Sequence, residues 1–372
     1  MTRDLVVLSL EAWDDVWRRN QYLIDGLLRA DPSLRVLFVE PSNDLLHSAL
    51  SGRGVQPGRG LRLSDRHAGR LHLLQPDKLL PRVAGPLADA LLRRSVLRTA
   101  RRLGMRAPVL WINDPGWAGL SAATGWPTVY DMTDDWLAAD RPARELRRIA
   151  RNEDLLMERS AAVVVCSEGL RDTRQSRREV VLIPNAVDVV RYREPTPRPD
   201  DLPARSALYV GTQHEDRLDV DLVIQTADAA ASVGGSVVLI GPCALSEANS
   251  SRLAAHPAVA MLGPRPFEAV PSYLQHAAAL IVPHVVTGFT DSLDPIKLYE
   301  YLAVGRPIIS TPVAGFRSLS AETLTIASAG GFPGAVITAL GEHRPTALVS
   351  GVPDWEDRVV AYAELLEPLW SR

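Results

Sequence analysis

Both halves of the chain repeat one alternation of short β-branched runs and longer helical patterns. Strand and helix in alternation predict a parallel sheet with helices on both faces, the doubly wound α/β class. Helices are predicted at 16–29, 87–102, 143–160 and 167–174, and from residues 220, 267, 297 and 334. The predicted strands are 5–8, 36–39, 109–112, 128–130, 162–166 and 180–183, then 208–210, 237–240, 259–262, 280–282 and 308–309. At 372 residues the chain is long enough for two Rossmann-like domains.

A proline-rich segment separates the two halves. Residues 191–203 contain four prolines, and proline can continue neither a helix nor a central strand, so the segment is predicted to be a stiff linker. We therefore predict a first domain over residues 1–194 and a second over residues 195–354. Residues 41–75 are rich in glycine and arginine and are predicted to be mostly loops.

Composition narrows the class of protein. Hydrophobic residues make up 46% and charged residues 23% of the chain, as in soluble globular proteins. The net charge of −3 creates no overall positive potential that would attract nucleic acid. No apolar run approaches the ~20 residues of a membrane span, and a strand pattern at 5–8 leaves no signal peptide. Cys166 and Cys243 end apolar runs without metal-ligand spacing, so both are interpreted as reduced core residues of a cytoplasmic enzyme.

Residues 291–310 hold the densest group of chemically useful side chains. Asp294, Pro295 and Lys297 lie in a loop that runs into a short helical pattern containing Glu300. A helix start presents free N–H groups and the positive end of the helix dipole, which suit phosphate. Lys297 adds a charge, and Glu300 can accept hydrogen bonds from two vicinal hydroxyls. The segment therefore predicts a nucleotide-sugar site; the alternative is an ordinary helix face with Lys297 and Glu300 solvated.

The run Asp294-Pro-Ile-Lys-Leu-Tyr-Glu-Tyr301 resembles the donor-site signature of family 4 (group 1) glycosyltransferases. The similarity is closest to a branch with Asn/Asp-Pro-x-Lys-x-Tyr-Glu-Tyr. It implies the GT-B fold, two Rossmann-like domains facing a central cleft, with Glu300 on the donor ribose. Ser292 stands where the commoner pattern has a second Glu, which leaves Asp291 or Asp294 for the donor sugar. The last helical pattern, 355–372, either packs back on the first domain as in GT-B enzymes or is a plain C-terminal helix.

A second predicted donor loop, Gly211-Thr-Gln-His-Glu-Asp-Arg217, follows the first strand of the second half. The resembled family carries Gly-Arg-x(4)-Lys here, and its two cations hold the diphosphate. Arg217 stands at the Lys position and can bridge phosphate oxygens. Thr212 stands at the Arg position, so Lys297 is the candidate for the second cation. The alternative is an ion pair between Arg217 and Asp219 or Asp221.

The nucleobase is assigned by the same resemblance to two turns, Gly241-Pro-Cys and Gly263-Pro-Arg-Pro-Phe267. The segment Ile183-Pro-Asn-Ala-Val-Asp188 looks like the turn that closes the family's first domain, with structural roles for Asn185 and Asp188. The predicted donor site consists of Gly211, Thr212, Arg217, Gly241, Arg265, Pro266, His284, Asp294, Pro295, Lys297, Leu298 and Glu300.

Three segments of the first half are predicted to contact the acceptor. Residues 11–21 join the first strand to the first helix with two Trp and two Arg, which suit sugar stacking and anion binding, although Trp17 fits a core position equally well. In residues 111–115, Asn113 occupies the position of a catalytic His of some relatives. Residues 130–136 bring three carboxylates, with helix capping as the alternative for two of them. The predicted acceptor site is Trp13, Asp14, Arg18, Asn113 and Asp135.

The predicted function is transfer of a sugar from a nucleotide diphospho-sugar to a hydroxyl acceptor: a polysaccharide, glycolipid or natural product. The resemblance implies retention of anomeric configuration with no metal or cofactor. Side chains and helix-start amides would stabilise the leaving diphosphate. If the enzyme inverts, Asp114, Asp134 or Asp135 is the candidate base. The predicted catalytic residues are Arg217, Lys297, Asp114 and Asp134. The alternatives are a nucleotide-sugar epimerase of the same fold and a catalytically silent nucleotide-binding protein.

A cluster of arginines lies on or beside one predicted helix of the first half. A basic amphipathic helix can dock on anionic lipid, which predicts peripheral contact with the inner membrane face. A solvated surface helix is the alternative. The arginines are Arg82, Arg93, Arg94, Arg98, Arg101, Arg102 and Arg106.

Overall fold

The computed structural model describes residues 2–44, 57–78, 85–139, 141–317, 319–341 and 347–371. It divides into two compact units, a first made of Met1–Pro184 with Glu356–Arg372 and a second made of Asn185–Trp355. Both are built on mainly parallel sheets, in agreement with the predicted α/β class. The division falls at 184/185, so residues 185–194 belong to the second unit and not to the first, where the prediction had placed them.

The first unit contains an eight-stranded sheet of order β10-β9-β8-β7-β1-β2-β5-β4, parallel except for the β4–β5 pair. Its strands, with the short β3–β6 pair, are β1 (Arg3–Leu8), β2 (Leu34–Val39), β3 (Asn43–Asp44), β4 (Gly60–Leu63), β5 (Leu71–Gln75), β6 (Asp77–Lys78), β7 (Val109–Ile112), β8 (Thr128–Met132), β9 (Ala162–Val165) and β10 (Val181–Leu182). Its helices are Arg19–Ala30, Gly85–Arg102, Ala118–Thr124, Ala143–Arg159, Glu168–Arg174 and Trp355–Trp370, with 3-10 turns at His67–Gly69 and Pro115–Trp117.

The second unit contains a six-stranded parallel sheet of order β15-β13-β11-β16-β17-β18 and a short β12–β14 pair. Its strands are β11 (Ser206–Val210), β12 (Gln213–His214), β13 (Ser236–Ile240), β14 (Cys243–Ala244), β15 (Val259–Gly263), β16 (Ala279–Val282), β17 (Ile308–Ser310) and β18 (Leu324–Ile326). Its helices are Val189–Arg193, Val220–Ala231, Glu247–Ala254, Val270–His276, Ile296–Val304 and Phe332–Gly341, with 3-10 turns at Phe267–Ala269 and Thr290–Ser292.

Central strands of both sheets are buried on both faces. β7 and β16 consist entirely of buried residues, as expected where helices cover a parallel sheet. Side-chain caps start several helices: Asp188 accepts from the Arg191 amide, as predicted, and Asp219 accepts from the Leu222 amide. The carboxyl ends of the parallel strands are therefore the places where loops can carry chemistry.

Two further predictions about the chain's organisation differ from the structure. Residues 41–75 contain β4 and β5 and are not mainly loop among the described residues. The proline-rich segment 191–203 is not a connection between the units, because it lies within the second one, where Thr196 and Arg198 bond to Gln275 and His276. Prolines terminate regular structure there, but side-chain hydrogen bonds hold the segment against the helix Val270–His276.

The C-terminal helix Trp355–Trp370 packs with the first unit through a buried polar network. Tyr362 stacks on Trp111 with ring centroids 4.3 Å apart, and its hydroxyl lies 2.8 Å from the Arg19 guanidinium. Arg19 is buried and forms two 3.2 Å hydrogen bonds to the Asp131 carboxylate. Trp370 adds a hydrogen bond to the Asp4 carbonyl. Among the described residues, no helix has an apolar stretch long enough to cross a bilayer.

Candidate functional site

Two glycine turns meet at the carboxyl edge of the second sheet. Gly211 follows β11 and Gly241 follows β13, the neighbouring strand. Their φ angles are +143° and +132°, a region that disfavours residues with a side chain. A Cβ atom at Gly241 would overlap the carbonyl group of Gly211. The turns therefore require glycine, and they leave the backbone open at the strand ends.

Replacing Gly241 by alanine is expected to lower the free energy of unfolding by about 2–4 kcal/mol, because the added methyl group meets both a steric overlap and a disfavoured φ. Chemical denaturation measures this difference. Gly330→Ala is the matched control, since a Cβ there has no neighbour within 4 Å and its φ is unrestricted. Equal stability of the two variants would contradict the close approach of the two turns.

Lys297 lies beside these turns at the start of the helix Ile296–Val304. Its Nζ atom is 4.0 Å from the centroid of the Tyr209 ring and 3.0 Å from where a Cβ of Gly211 would lie. No described residue forms a hydrogen bond or ion pair with the Lys297 ammonium. Burial and the nearby Arg217 lower the pKa of Lys297 to about 7, against the opposing effect of Glu300. A half-buried ammonium of this kind is poised to receive an anion.

The guanidinium of Arg217 is the second cation of this region. Its Cζ atom lies 5.3 Å from the Phe289 ring centroid, and its Nε is buried without a hydrogen-bond partner. The nearest carboxylate oxygen, on Asp216, is 3.8 Å away. The alternative ion pairs do not form: Asp219 caps its helix, and Asp221 pairs with another arginine at 2.6 Å. Among the described residues, no partner therefore satisfies the Nε atom of Arg217.

His284 connects the two cations. Its Nε2 atom is 3.1 Å from the Tyr209 hydroxyl, and the residue is buried. Burial, Lys297 and Arg217 together hold the pKa of His284 well below its usual value, so the imidazole is neutral. Lys297 lies over the Tyr209 ring, and the Val285 amide, next to His284, donates a 2.8 Å hydrogen bond to the Arg217 carbonyl. The structure therefore brings Arg217 and Lys297 to the same histidine from different parts of the sequence.

Glu300 lies one turn after Lys297 and is half-buried, not solvated. Its Oε1 atom accepts a 2.6 Å hydrogen bond from the Tyr192 hydroxyl. Burial raises the pKa of Glu300, whereas Tyr192, Lys297 and Arg191 favour the charged form. The tyrosine was not predicted as a site residue; it follows the Asn185–Asp188 turn in sequence, and only folding brings it to the carboxylate.

Other predicted donor residues have structural partners. Asp294 accepts from the Asn185 amide at 2.5 Å and from the Tyr299 hydroxyl at 2.7 Å, so it anchors the loop ahead of the helix. Asp291 pairs with Arg317 at 2.6 Å. Ser292 is buried and donates to the Phe289 carbonyl. Both carboxylates are therefore engaged with partners of the same unit.

The predicted base contact at Arg265 is also engaged within the chain. Its guanidinium pairs with Asp201 at 2.5 Å and lies 2.9 Å from the Tyr273 hydroxyl. Pro266 precedes the 3-10 turn Phe267–Ala269. Of the rest, Leu298 is part of the hydrophobic core, Pro295 precedes the helix Ile296–Val304, and the carbonyl of Thr212 accepts from the Tyr209 hydroxyl.

The predicted acceptor and catalytic carboxylates of the first unit form hydrogen bonds to other groups of that unit. Asp135 receives hydrogen bonds of 2.7 and 2.8 Å from Arg174, which outweigh burial and lower the pKa of Asp135. Such a carboxylate is a poor base. Asp114 caps a 3-10 turn through the Gly116 amide, although burial raises its pKa.

Asn113, which follows β7, is a buried residue of the first unit. Its Nδ2 donates to the Asp131 side chain and its Oδ1 accepts from Asn20, each at 3.1 Å. The Oδ2 atom of Asp134 accepts from the Thr133 hydroxyl. The side chain of Asn113 is thus held by hydrogen bonds within the first unit.

The loop after β1 places aromatic rings beside charged groups. Trp13 and Trp17 are half-buried, with centroids 6.1 Å apart in an edge-to-face arrangement. The Trp13 amide donates to the buried Glu40 carboxylate, and Arg18 lies 3.6 Å from Asp14. Glu11 in the same loop was not singled out by the sequence analysis; its signal was a carboxylate close behind a central strand.

Among the described residues, no group of three or more His, Cys, Asp or Glu side chains is arranged to hold a metal ion. Cys166 is buried as predicted, but Cys243 is exposed, because the short β14 lies outside the main sheet.

Part of the second unit is similar to a known protein family. A family model described as glycosyl transferases group 1 matches residues 204–342. TuaH of Bacillus subtilis (strain 168), whose name gives an inferred role as a teichuronic acid biosynthesis glycosyltransferase, is 24% identical over 217 residues. That alignment covers 54% of this chain and 55% of TuaH, about half the length of the relative.

Solved structures match over nearly the whole chain. HepE of Anabaena, determined in complex with UDP, has a TM-score of 0.65 at 16% identity over 99% of this chain and 100% of HepE. WaaG, a glycosyltransferase involved in lipopolysaccharide biosynthesis, has a TM-score of 0.64 at 14% identity over 99% of this chain and 96% of WaaG. At these identities the likeness establishes the fold: two Rossmann-like units of the GT-B type.

Proposed function

We propose that the protein is a glycosyltransferase that uses a nucleotide diphospho-sugar as donor and a hydroxyl compound as acceptor. The observation that carries the proposal is that Lys297 lies over the Tyr209 ring, whose hydroxyl contacts His284, while Arg217 is hydrogen-bonded through its carbonyl to the next residue, Val285. Glu300 lies one helical turn after Lys297. Neither cation has a hydrogen-bonded carboxylate partner among the described residues. The group 1 match over residues 204–342, which includes all of them, supports the same assignment.

The two cations and the neutral histidine suit a leaving diphosphate. In the proposed reaction the bond between the anomeric carbon and the diphosphate oxygen breaks, and the electron pair stays on the diphosphate. Lys297 and Arg217 stabilise the charge that develops there. Glu300 holds the two ribose hydroxyls, with Tyr192 fixing one of its oxygens. The acceptor oxygen then forms the new bond to the anomeric carbon.

We further propose transfer with retention and without a metal, as the resemblance implies. Two protein cations supply the positive charge that the leaving group needs, and the acceptor proton passes to a leaving phosphate oxygen. On this proposal no protein base is required, in keeping with Asn113 at the histidine position and with the engagement of Asp135 by Arg174.

Incubation of the full chain with a panel of nucleotide sugars tests the proposal. The expected result is slow release of nucleoside diphosphate from one donor, faster with a hydroxyl acceptor and unchanged by a chelator. Conversion of the donor sugar without diphosphate release would show an epimerase instead. Binding of nucleotide without any turnover across the panel would show a silent binding protein, and either result would overturn the assignment.

We also propose that the first unit touches an anionic membrane surface. Arg94, Arg98, Arg101, Arg102 and Arg106 are exposed, and within the described part of the chain none of them forms a hydrogen bond or ion pair. Arg82 lies outside the described residues, and Arg93 is half-buried against Gly119. Arg101 and Arg106 also line a groove that contains Leu97 and Trp126, a combination suited to a lipid interface.

Replacing Arg98, Arg101 and Arg102 together by glutamine is expected to lower partitioning onto phosphatidylglycerol vesicles about 100-fold, because each arginine near an anionic surface contributes about 1 kcal/mol. Vesicle sedimentation measures the partitioning. The matched control replaces Arg144, Arg147 and Arg151, three exposed arginines of another helix, and changes the net charge equally. Equal losses for both triple variants would mean that only net charge matters.

A further inference from the structure

Lysine is rare in this chain. Of its 41 lysine and arginine residues, only Lys78 and Lys297 are lysines. An arginine stays protonated in proteins, whereas a lysine that loses its proton becomes a nucleophilic amine. Chemistry that needs the amine of a lysine side chain is therefore confined to two positions, and only Lys297 lies in the candidate site.

The ammonium of Lys297 lies beside an aromatic ring and a glycine turn. Its Nζ atom is 4.0 Å from the centroid of the Tyr209 ring and 3.0 Å from where a Cβ of Gly211 would lie. Glu300, one helical turn later, accepts a hydrogen bond from the Tyr192 hydroxyl instead. Within the described part of the chain, no acceptor therefore holds a proton on Nζ. The side chain is half-buried, so it keeps contact with solvent.

These surroundings favour the free amine of Lys297. Burial and the nearby Arg217 lower the pKa of Lys297 to about 7, although Glu300 opposes them. At about pH 7.5, more than half of the Lys297 side chains carry the free amine, against on the order of 0.1% for a lysine of ordinary pKa. Lysines that are desolvated and close to another cation serve as nucleophiles for this reason.

The guanidinium of Arg217 supplies a phosphate-binding group near this amine. Its charge contributes to the lowered pKa of Lys297, and its Nε atom has no hydrogen-bond partner among the described residues. The nearest carboxylate oxygen, on Asp216, is 3.8 Å away. Guanidinium groups bind phosphate oxygens through charge-assisted hydrogen bonds. An acylating compound that carries a phosphate group therefore fits this place better than a neutral or cationic one.

We propose that Lys297 is a modification site that is acylated by small acyl phosphates. The free Nζ atom attacks the acyl carbon, so a carbon–nitrogen bond forms. The bond between the acyl carbon and the phosphate oxygen breaks, and the phosphate leaves with the electron pair. The departing phosphate takes the proton that the nitrogen loses. The product is a neutral amide in place of the Lys297 ammonium.

Acylation would remove one of the two cations that face the leaving diphosphate. We therefore expect it to switch the enzyme off. This consequence rests on the proposed function, whereas the modification itself does not.

The test is incubation of the full chain with acetyl phosphate at about pH 7.5, followed by mass spectrometry of the peptides that contain each lysine. We expect Lys297 to be acetylated at least about 10-fold faster than Lys78. Lys78, on β6 of the first unit, is also half-buried, and it reports from the same molecule without any substitution. Equal rates, or a faster reaction at Lys78, would overturn the site.

A second measurement tests the class of acyl donor. Arg217→Gln should slow acetylation of Lys297 by acetyl phosphate at least about 10-fold more than acetylation by p-nitrophenyl acetate, a neutral donor. The neutral donor reports any change in the charge of the amine itself. Arg252→Gln, an exposed arginine of the same unit, is the matched control and should leave both rates unchanged. An equal effect of Arg217→Gln on the two donors would rule out phosphate recognition.

The release of diphosphate from the nucleotide sugar is followed in parallel on the acetylated protein. We expect it to fall in proportion to the acetylated fraction of Lys297. Complete acetylation without any loss of diphosphate release would confirm the modification site and count against the proposed function instead.

Discussion

Replacing Lys297 by methionine is expected to lower the rate of glycosyl transfer by a factor of about 10²–10³, the usual effect of removing one group that stabilises a developing anion. Methionine keeps the length of the side chain and its contact with the Tyr209 ring, but removes the charge that lies 4.0 Å from that ring. The measurement is kcat with saturating donor.

The sequence offers an unusually clean control, because the chain contains only two lysines, Lys297 and Lys78. Lys78→Met removes the same charge from β6 in the first unit and should leave kcat within about twofold, because Lys78 lies outside the candidate site. A Lys297→Met enzyme as fast as the Lys78→Met enzyme would show that the ammonium does not meet the leaving group.

The pH dependence of nucleotide binding provides an independent readout of Lys297. Burial lowers its pKa to about 7 in the free protein, so the ammonium is present below that pH and is lost as the pH rises. Affinity for a nucleoside diphosphate should therefore decline above about pH 7. Since the diphosphate also titrates, the informative quantity is the difference between the unchanged protein and Lys297→Met, measured by calorimetry. A constant difference from pH 6 to about pH 9 would argue against a titrating lysine at the site.

Replacing Glu300 by alanine is expected to weaken nucleoside diphosphate binding about 100-fold. Two hydrogen bonds from ribose hydroxyls to a carboxylate would be lost, at about 1.5 kcal/mol each or more. The change also removes the 2.6 Å hydrogen bond from the Tyr192 hydroxyl to this carboxylate. Isothermal calorimetry measures the affinity.

Two further variants help to interpret the affinity of Glu300→Ala. Glu322→Ala removes an exposed glutamate of the same unit and should leave affinity unchanged. Tyr192→Phe keeps the carboxylate but frees its Oε1 atom, so a smaller loss, about 3–10-fold, is expected. Binding that is insensitive to Glu300→Ala would remove ribose recognition from the proposed role of this helix.

The general architecture was predictable because it depends on local pattern. Buried parallel strands are short, β-branched and apolar, and they contrast with the longer amphipathic helices, so most strands were located to within two residues. β4 and β5 were missed: glycines and arginines dominate their surroundings, and the pairing that makes β4 a strand lies in the antiparallel neighbour. Such pairing between two strands produces no clear hydrophobic pattern in the sequence of either strand alone.

The same contrast separates predicted site residues that lie on one helix from those whose contacts come from distant parts of the chain. Lys297 and Glu300 share one helix, where their spacing places them a turn apart. The roles of Asp135, Asp294 and Arg265 depend instead on partners at sequence distances of 39, 109 and 64 residues. A charged residue near a strand end looks the same in sequence whether a partner neutralises it or not.

By itself, the sequence determined the α/β class, the order of strands and helices, and the grouping of ammonium and carboxylate on one helix, since periodicity and short-range spacing dictate these features. Only the tertiary structure decided which charges lack a partner. Within the described part of the chain, Arg217 Nε and Glu11 Oε2 have no hydrogen-bond partner, whereas the side chains of Asp135 and Arg265 are paired. The physical reason is that the availability of a charged group depends on which distant side chains fold against it and on how much water remains around it.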